Sequence, residues 1–478
     1  MKFKTCLFIV ISSLSVWTRS SYAQTKTRTN VIFILADDLG YGDLGSFGQK
    51  LIRTPHLDAL TASGMKFTSF YSGTSVCAPS RSALMTGQHT GHTPIRGNKG
   101  MKPEGQFPLK NPAYTVAELF RDAGYVTGDF GKWGLGFPGS EGEPLKQGFS
   151  EFFGYNCQSI AHDYFPDHLW ENNKRVELPN TQTDKKVYTG DLIQSKALAF
   201  IEKNKAKPFF AFLSYTLPHA ELQLPANDPV MKQYIEAFHE QARPVKPQPG
   251  DADPGVYEPQ AYPHAAYAAM VTRLDTYVGE VVAKLKALGI DKNTLIIFSS
   301  DNGPHREGGN EPEFFNSSGG FRGIKRDLYE GGIREPTIMS WPAVIKPGST
   351  SAFTGAFWDM MPTFAEIIGV KAPASIDGIS ILPTLKGQPT VQKQHEFLYW
   401  EFHENGGRQA VRMGNWKGIR LNAMSDPDRP IELYDLAADP AETNDLARSN
   451  PEIVKKLSAI LKREHTENPD FPFFSKKK

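Results

Sequence analysis

The sequence predicts an α/β protein: a large, mainly parallel sheet sandwiched by helices, followed by a smaller C-terminal antiparallel sheet plus helix. Three observations lead there. Short apolar runs of strand length alternate with amphipathic stretches as far as residue 385. Four of those runs end on residues that carry chemistry. Beyond residue 385 the helical stretches give way to closely spaced short runs. Strands separated by helices imply parallel pairing with both sheet faces covered, whereas clustered short strands imply hairpins.

The elements follow in order. Residues 31–36 form the first apolar run. A helical stretch at 115–123 precedes the run 125–130, another at 191–203 precedes 209–214, and a third at 265–288 precedes 295–300. Residues 221–263, rich in proline and polar side chains, read as a long surface excursion bordering the substrate mouth. Then 397–402, 409–413, 416–420 and 431–436 read as short strands, with Gly414-Asn415 as a hairpin turn and 451–467 as a closing amphipathic helix. The division expected is a leader over 1–23, a main domain over 24–385 and a C-terminal subdomain over 386–478.

Composition narrows the class. The chain has 478 residues, 40% hydrophobic and 22% charged, ample for a large core. Its formal net charge of +1 provides no global field for nucleic acid or an anionic membrane, so neither is expected as a partner. Lys2 and Lys4, the apolar run 6–17 and Ser21-Tyr22-Ala23 read as a secretory signal, too short to span a bilayer. No transmembrane segment is expected in the mature chain, and a periplasmic or secreted location is. Once the leader is removed only Cys77 and Cys157 remain, which excludes a disulfide framework. Cys157 reads as a small buried apolar residue.

Open parallel sheets place ligands beyond the carboxyl ends of their strands. Asp37-Asp38 follow the first run, Lys132 the second, His219 the third and Asp301-Asn302 the fourth. The oxygen donors Asp37, Asp38, Asp301 and Asn302 suit a hard cation such as Ca²⁺ or Mg²⁺ rather than zinc. Taken alone, each is equally an acidic loop capping a turn. The segment Cys77-Ala78-Pro79-Ser80-Arg81, continued to Gly87, is more specific. Pro79 suits a first helical turn and Gly87 a helix end. Cys77 then sits at a helix N-terminus, where backbone N–H groups favour an anion, and Arg81 lies one turn on.

The order Cys-x-Pro-Ser-Arg followed by glycine resembles the signature of the type I sulfatases, formylglycine-dependent members of the alkaline phosphatase superfamily. The resemblance is nearest to the arylsulfatase and N-acetylgalactosamine-6-sulfatase-like branch. It extends through Asp37-Asp38, Gly131-Lys132-Trp133, Pro218-His219, Asp301-Asn302-Gly303, Lys325 and Glu330-Gly331-Gly332-Ile333-Arg334, in the family's order from Thr29 to about Ala447. It implies that Cys77 is oxidised by a sulfatase-maturing, formylglycine-generating enzyme and that the aldehyde hydrate is the nucleophile. It further implies Ca²⁺ on Asp37, Asp38, residue 77, Asp301 and Asn302. Arg81, Lys132 and Lys325 would bind sulfate, and His219, titrating near neutrality, would protonate the leaving oxygen. The implied substrate is a sulfated glycan or an aryl sulfate. Other readings are a phosphodiesterase or phosphonate hydrolase of the same superfamily, or a catalytically silent binder of sulfated glycans.

One position departs. The family commonly carries histidine two residues after the lysine, touching the hydrate; here that position is Gly134. His305 is a candidate for the missing group. Arg96, Asn98, His162, Asp163, Tyr164, Phe165, Trp170, Trp400, His403 and Arg408 are candidates for sugar recognition.

Overall fold

The computed structural model describes residues 1, 28–181, 183–244, 257–258 and 260–474. The expected leader, apart from Met1, lies outside the described residues. Five parallel strands form the centre of the main sheet: β1 (Asn30–Ala36), β2 (Val126–Lys132), β3 (Glu151–Tyr155), β4 (Phe209–Ser214) and β5 (Thr294–Ser300). They lie in the order β5-β1-β4-β2-β3. Antiparallel strands extend both flanks to ten strands among the described residues. Thr337–Ser340 pairs with β5, and His168–Glu171 pairs with β3.

β1 shows why the sheet is buried on both faces. Its seven residues are all buried. Ile32, Ile34 and Ala36 face the helices Thr189–Lys203 and Pro263–Ala287, while Val31, Phe33 and Leu35 face the side holding Cys77–Thr86 and Met360–Ile368. Alternate side chains of a strand point to opposite faces, so a continuous apolar run is what a doubly covered strand requires.

The C-terminal sheet contains four antiparallel strands, Leu398–Phe402, Arg408–Met413, Trp416–Leu421 and Glu432–Asp435, with Gly414-Asn415 turning between the second and third. Helix Pro451–Arg463 packs on one face through Leu457, Ile460 and Leu461. The opposite face carries Leu398, Trp400 and Phe402 onto Tyr71, Trp358 and Ile333 of the larger unit. The expected loop at 221–263 is partly helical. Pro229–Phe238 forms a helix because Asp228 caps it, accepting from the N–H groups of Val230 and Met231. The short flanking strands of the main sheet escaped the sequence reading, as did the central β3, which glycine interrupts at Gly154.

Candidate active site

The site is built on strand ends. β1 and β5 run in register, with Ala36 opposite Ser300, so the chains leave the sheet side by side. The Asp301 N–H donates to the Ala36 carbonyl (3.1 Å), and the Asp37 N–H to Leu217 (3.2 Å). This brings Asp37, Asp38, Asp301 and Asn302 together, all fully buried. Lys132 closes β2, and the turn after β4 delivers His219.

Helix Cys77–Thr86, here α1, points its first residue into this cluster. It is buried along its whole length and ends at Gly87, whose φ of 69° is the left-handed conformation that glycine tolerates. The Cys77 thiol donates to Asp37 Oδ1 at 3.3 Å. The N–H of Ala78 donates to Asn98 Oδ1 (3.1 Å), so one of the backbone donors expected to grip an anion is already capped. Side chains carry that task instead. Arg81 reaches Asp301 Oδ2 through Nε (3.0 Å) and Nη2 (2.8 Å), and its Nη1 donates to the Lys132 carbonyl. Lys132 Nζ meets Asp37 Oδ2 at 2.6 Å, and Lys325 Nζ meets Asp38 Oδ2 at 2.7 Å.

Three buried carboxylates therefore face three buried cations. That balance holds Asp37 ionised. Burial acts to raise its pKa, but the positive charges of Lys132 and Arg81 bring it well below the carboxylate range. Asp301 moves the other way, pushed up to about 7 by burial and by the charge of Asp37. A cation held between them would keep Asp301 ionised as well as Asp37. The donors fit one. Asp37, Asp38, Cys77 and His219 place ligand atoms within 4.8 Å of one another, and Asn302 Oδ1 is buried without a hydrogen-bond partner. Carboxylate and amide oxygens are the donors a hard divalent ion takes.

His219 departs from expectation. Its pKa is not near neutrality but well below, lowered by burial and by Lys325, with Asp37 opposing. The geometry agrees. Nδ1 contacts the Ala220 carbonyl and must carry the proton, which leaves Nε2 to accept from Lys325 Nζ at 3.1 Å. His305 does not replace the missing histidine. Its Nε2 donates to the Pro218 carbonyl (3.0 Å) and its Nδ1 lies 3.1 Å from Glu307 Oε2, so it braces the turn before His219. Glu307, absent from the sequence reading, also pairs with Lys325 (3.4 Å) and Arg326 (2.6 Å). Only its contacts mark it, because acidic residues are common in loops.

The sugar-recognition candidates divide. His162 stacks on His219 at 4.8 Å with rings 8° apart, and Tyr257 lies over His162 at 4.9 Å. Asn98 touches α1, as described. Trp400 is core, donating to the Ser72 carbonyl, and Arg96 ties the C-terminal tail through Thr466. Arg408 binds Asp327, and His403 binds Glu401. Tyr164 is buried, donating to the Thr216 and His219 carbonyls, and Phe165 is buried beside Tyr188. Asp163 accepts from the Phe165 N–H, and Trp170 donates to Glu104. These contacts explain most of the candidates structurally. Cys157 is buried beside Ser159, as read from the sequence.

A cysteine at a helix start, oxygen donors that could hold a cation and three ammonium or guanidinium groups at the carboxyl edge of a parallel sheet suit an ester hydrolase acting on an anionic group. Comparison with known proteins resolves which. Residues 29–370 match the Sulfatase family, and 320–467 match the C-terminal region of N-sulphoglucosamine sulphohydrolase. The chain is 32% identical to human arylsulfatase A, over 90% of this chain and 86% of that protein. It is 27% identical to an N-acetylgalactosamine-6-O-sulfatase of Bacteroides thetaiotaomicron, over 93% and 94%. The crystal structure of Ps i-CgsB superposes with a TM-score of 0.77 at 27% identity, covering 94% of this chain and 95% of that one. The chain belongs to the sulfatase family and is a sulfuric ester hydrolase.

Proposed function

We propose that the protein is an exported sulfatase that removes sulfate from glycans, with formylglycine at position 77 and Ca²⁺ held by Asp37, Asp38, Asp301 and Asn302. Relatives support the glycan reading: one is named for N-acetylgalactosamine 6-sulfate, and Ps i-CgsB was also crystallised with k-i-k-neocarrahexaose. Among the described residues no helix is long and apolar enough to cross a membrane.

The observation that carries the reading is the state of Cys77. It opens α1 inside the charged cluster and its thiol donates to Asp37 Oδ1 at 3.3 Å, while burial, with Asp37, pushes the thiol pKa up. A buried, protonated thiol among three cations is a poor nucleophile but a well-placed precursor. The modified residue would supply a hydroxyl nucleophile, and the cation would polarise it and neutralise charge.

The chain's own residues do the rest. Arg81, Lys132 and Lys325 hold the non-bridging sulfate oxygens as charge redistributes, and a cation held by Asp37, Asp38, Asp301 and Asn302 would neutralise the carboxylates that pair with them. Lys325 and His219 form a proton-sharing pair across 3.1 Å. The neutral imidazole orients the Lys325 ammonium, which carries the proton that the leaving sugar oxygen needs because an alkoxide is a poor leaving group.

Peptide mass spectrometry of protein from its native host, with a screen of defined mono- and disaccharide sulfates against a nitrophenyl phosphodiester, tests this. The expected result is an aldehyde at position 77 and release of sulfate from a sugar. An intact thiol in fully active material would refute it. An intact thiol in inactive protein that binds sulfated oligosaccharides tightly would favour a silent binder.

A further inference from the structure

Gly134 is not a simple gap. A Cβ built on it would lie 2.3 Å from Gln158 Nε2 and 4.0 Å from Arg81 Cδ, and its φ is +75°. A side chain there would meet both an unfavourable backbone conformation and an occupied volume. Gln158 fills the space that a residue at 134 would use, next to the stem of Arg81. The two segments are locked together, since the N–H groups of Trp133 and Gly134 donate to the carbonyls of Tyr155 and Asn156 (3.0 and 3.1 Å).

The carboxamide of Gln158 is more than nine-tenths buried, yet among the described residues neither Nε2 nor Oε1 has a hydrogen-bond partner. Asn156, fully buried, is unsatisfied at both amide atoms too. Buried amides are nearly always paired, and an unpaired one is costly. An unpaired, buried amide against Gly134 and near the stem of Arg81 implies that a ligand supplies its partner.

We infer that Gln158 is a substrate-binding residue of this enzyme: its Nε2–H donates to a non-bridging oxygen of the sulfate ester, from the position that Gly134 leaves open. The inference rests on the sulfatase reading. An amide does not titrate, so this donor remains in place across the whole working pH range, where an imidazole would lose or gain charge.

The test compares wild type with Gln158→Ala, Gln158→Glu and Gln158→His. Three readouts are taken: kcat/KM on a sulfated sugar across pH, calorimetric affinity for inorganic sulfate, and thermal midpoint. Removing one donor aimed at developing charge costs about 100-fold in rate. Gln158→Ala is expected to lose about that factor in kcat/KM and about tenfold in sulfate affinity, with a thermal midpoint equal to or above wild type. A purely structural amide would instead lower the midpoint and spare sulfate affinity. Gln158→Glu should lose more than Gln158→Ala at high pH and recover as pH falls, adding an acid-favoured limb that wild type lacks. Gln158→His should recover part of the loss with a new pH dependence. Wild-type rate and wild-type sulfate affinity in Gln158→Ala would overturn the inference while leaving the sulfatase reading intact. If wild type hydrolyses no sulfate ester, the sulfatase reading fails, and sulfate affinity alone still decides the role of Gln158.

Discussion

Lys417→Met tests the buried charge cluster that fastens the C-terminal sheet to the segment carrying Lys325. Lys417 Nζ lies 2.9 Å from Glu330 Oε1 and 3.0 Å from Glu442 Oε1, and all three side chains are fully buried. At an effective dielectric near 20, each such contact is worth about 5 kcal/mol before desolvation. Removing one partner of a buried pair costs about 3–5 kcal/mol when the orphan stays charged. The two orphans differ. Glu330 keeps the Tyr71 hydroxyl (2.7 Å) and Arg334 (3.1 Å). Glu442 keeps only the Glu330 N–H (2.6 Å). Burial already pushes Glu442 up to about 7 despite Lys417, with Glu330 adding to the rise. Without the lysine it takes up a proton, at about 1.4 kcal/mol for each pH unit above its ordinary value. Wild type already bears much of that cost at pH 8, so the expected extra loss is about 3 kcal/mol there and at least about 1 kcal/mol less at pH 5. Urea unfolding followed by tryptophan fluorescence reads the interface directly, because Trp358 and Trp400 lie within it. Adding Glu442→Gln should remove most of the difference between the two pH values. An equal midpoint shift at pH 5 and pH 8, or no relief from Glu442→Gln, would refute the charge argument.

Other outcomes are expected at and near the site. His219→Ala should lower kcat/KM by about 100-fold on sugar sulfates and by less than about tenfold on nitrophenyl sulfate, since an activated leaving group needs no proton. Equal losses on both would argue against proton transfer at that oxygen. Asp129, buried in β2, accepts from Ser214 and has an unpartnered Oδ2; burial pushes it up to about 7, with Ser214, Arg81 and the Phe130 N–H opposing. Its folded-state pKa lies above the ordinary 3.8, so the folded chain binds the extra proton. Stability from this group is therefore present below about pH 4 and lost as pH rises to about 7. Asp129→Asn should flatten the fall in unfolding free energy between pH 5 and pH 8, by at most about 3 kcal/mol. An unchanged pH slope would show that Asp129 is not its source.

The sequence by itself determined the layers and the order of the site. Continuous apolar strands separated by amphipathic helices allow little besides a covered parallel sheet, and a polar group at a strand end must emerge at the carboxyl edge. Asp37, Lys132, His219 and Asp301 were legible for that reason, and Cys77 because glycine and proline punctuate its helix. Tertiary structure decided what no local pattern encodes. His219 is held well below its ordinary pKa by burial and by Lys325, which meets its Nε2 from far away in the chain. Trp400 and Arg96, plausible sugar contacts as residue types, are core and tether because the C-terminal sheet packs over them. Gln158 stands against Gly134, and Lys417 between two glutamates, because separate segments converge. Periodicity records which face of an element is apolar; it does not record which polar atoms from distant segments end within 3 Å of one another, and that proximity sets charge state and role.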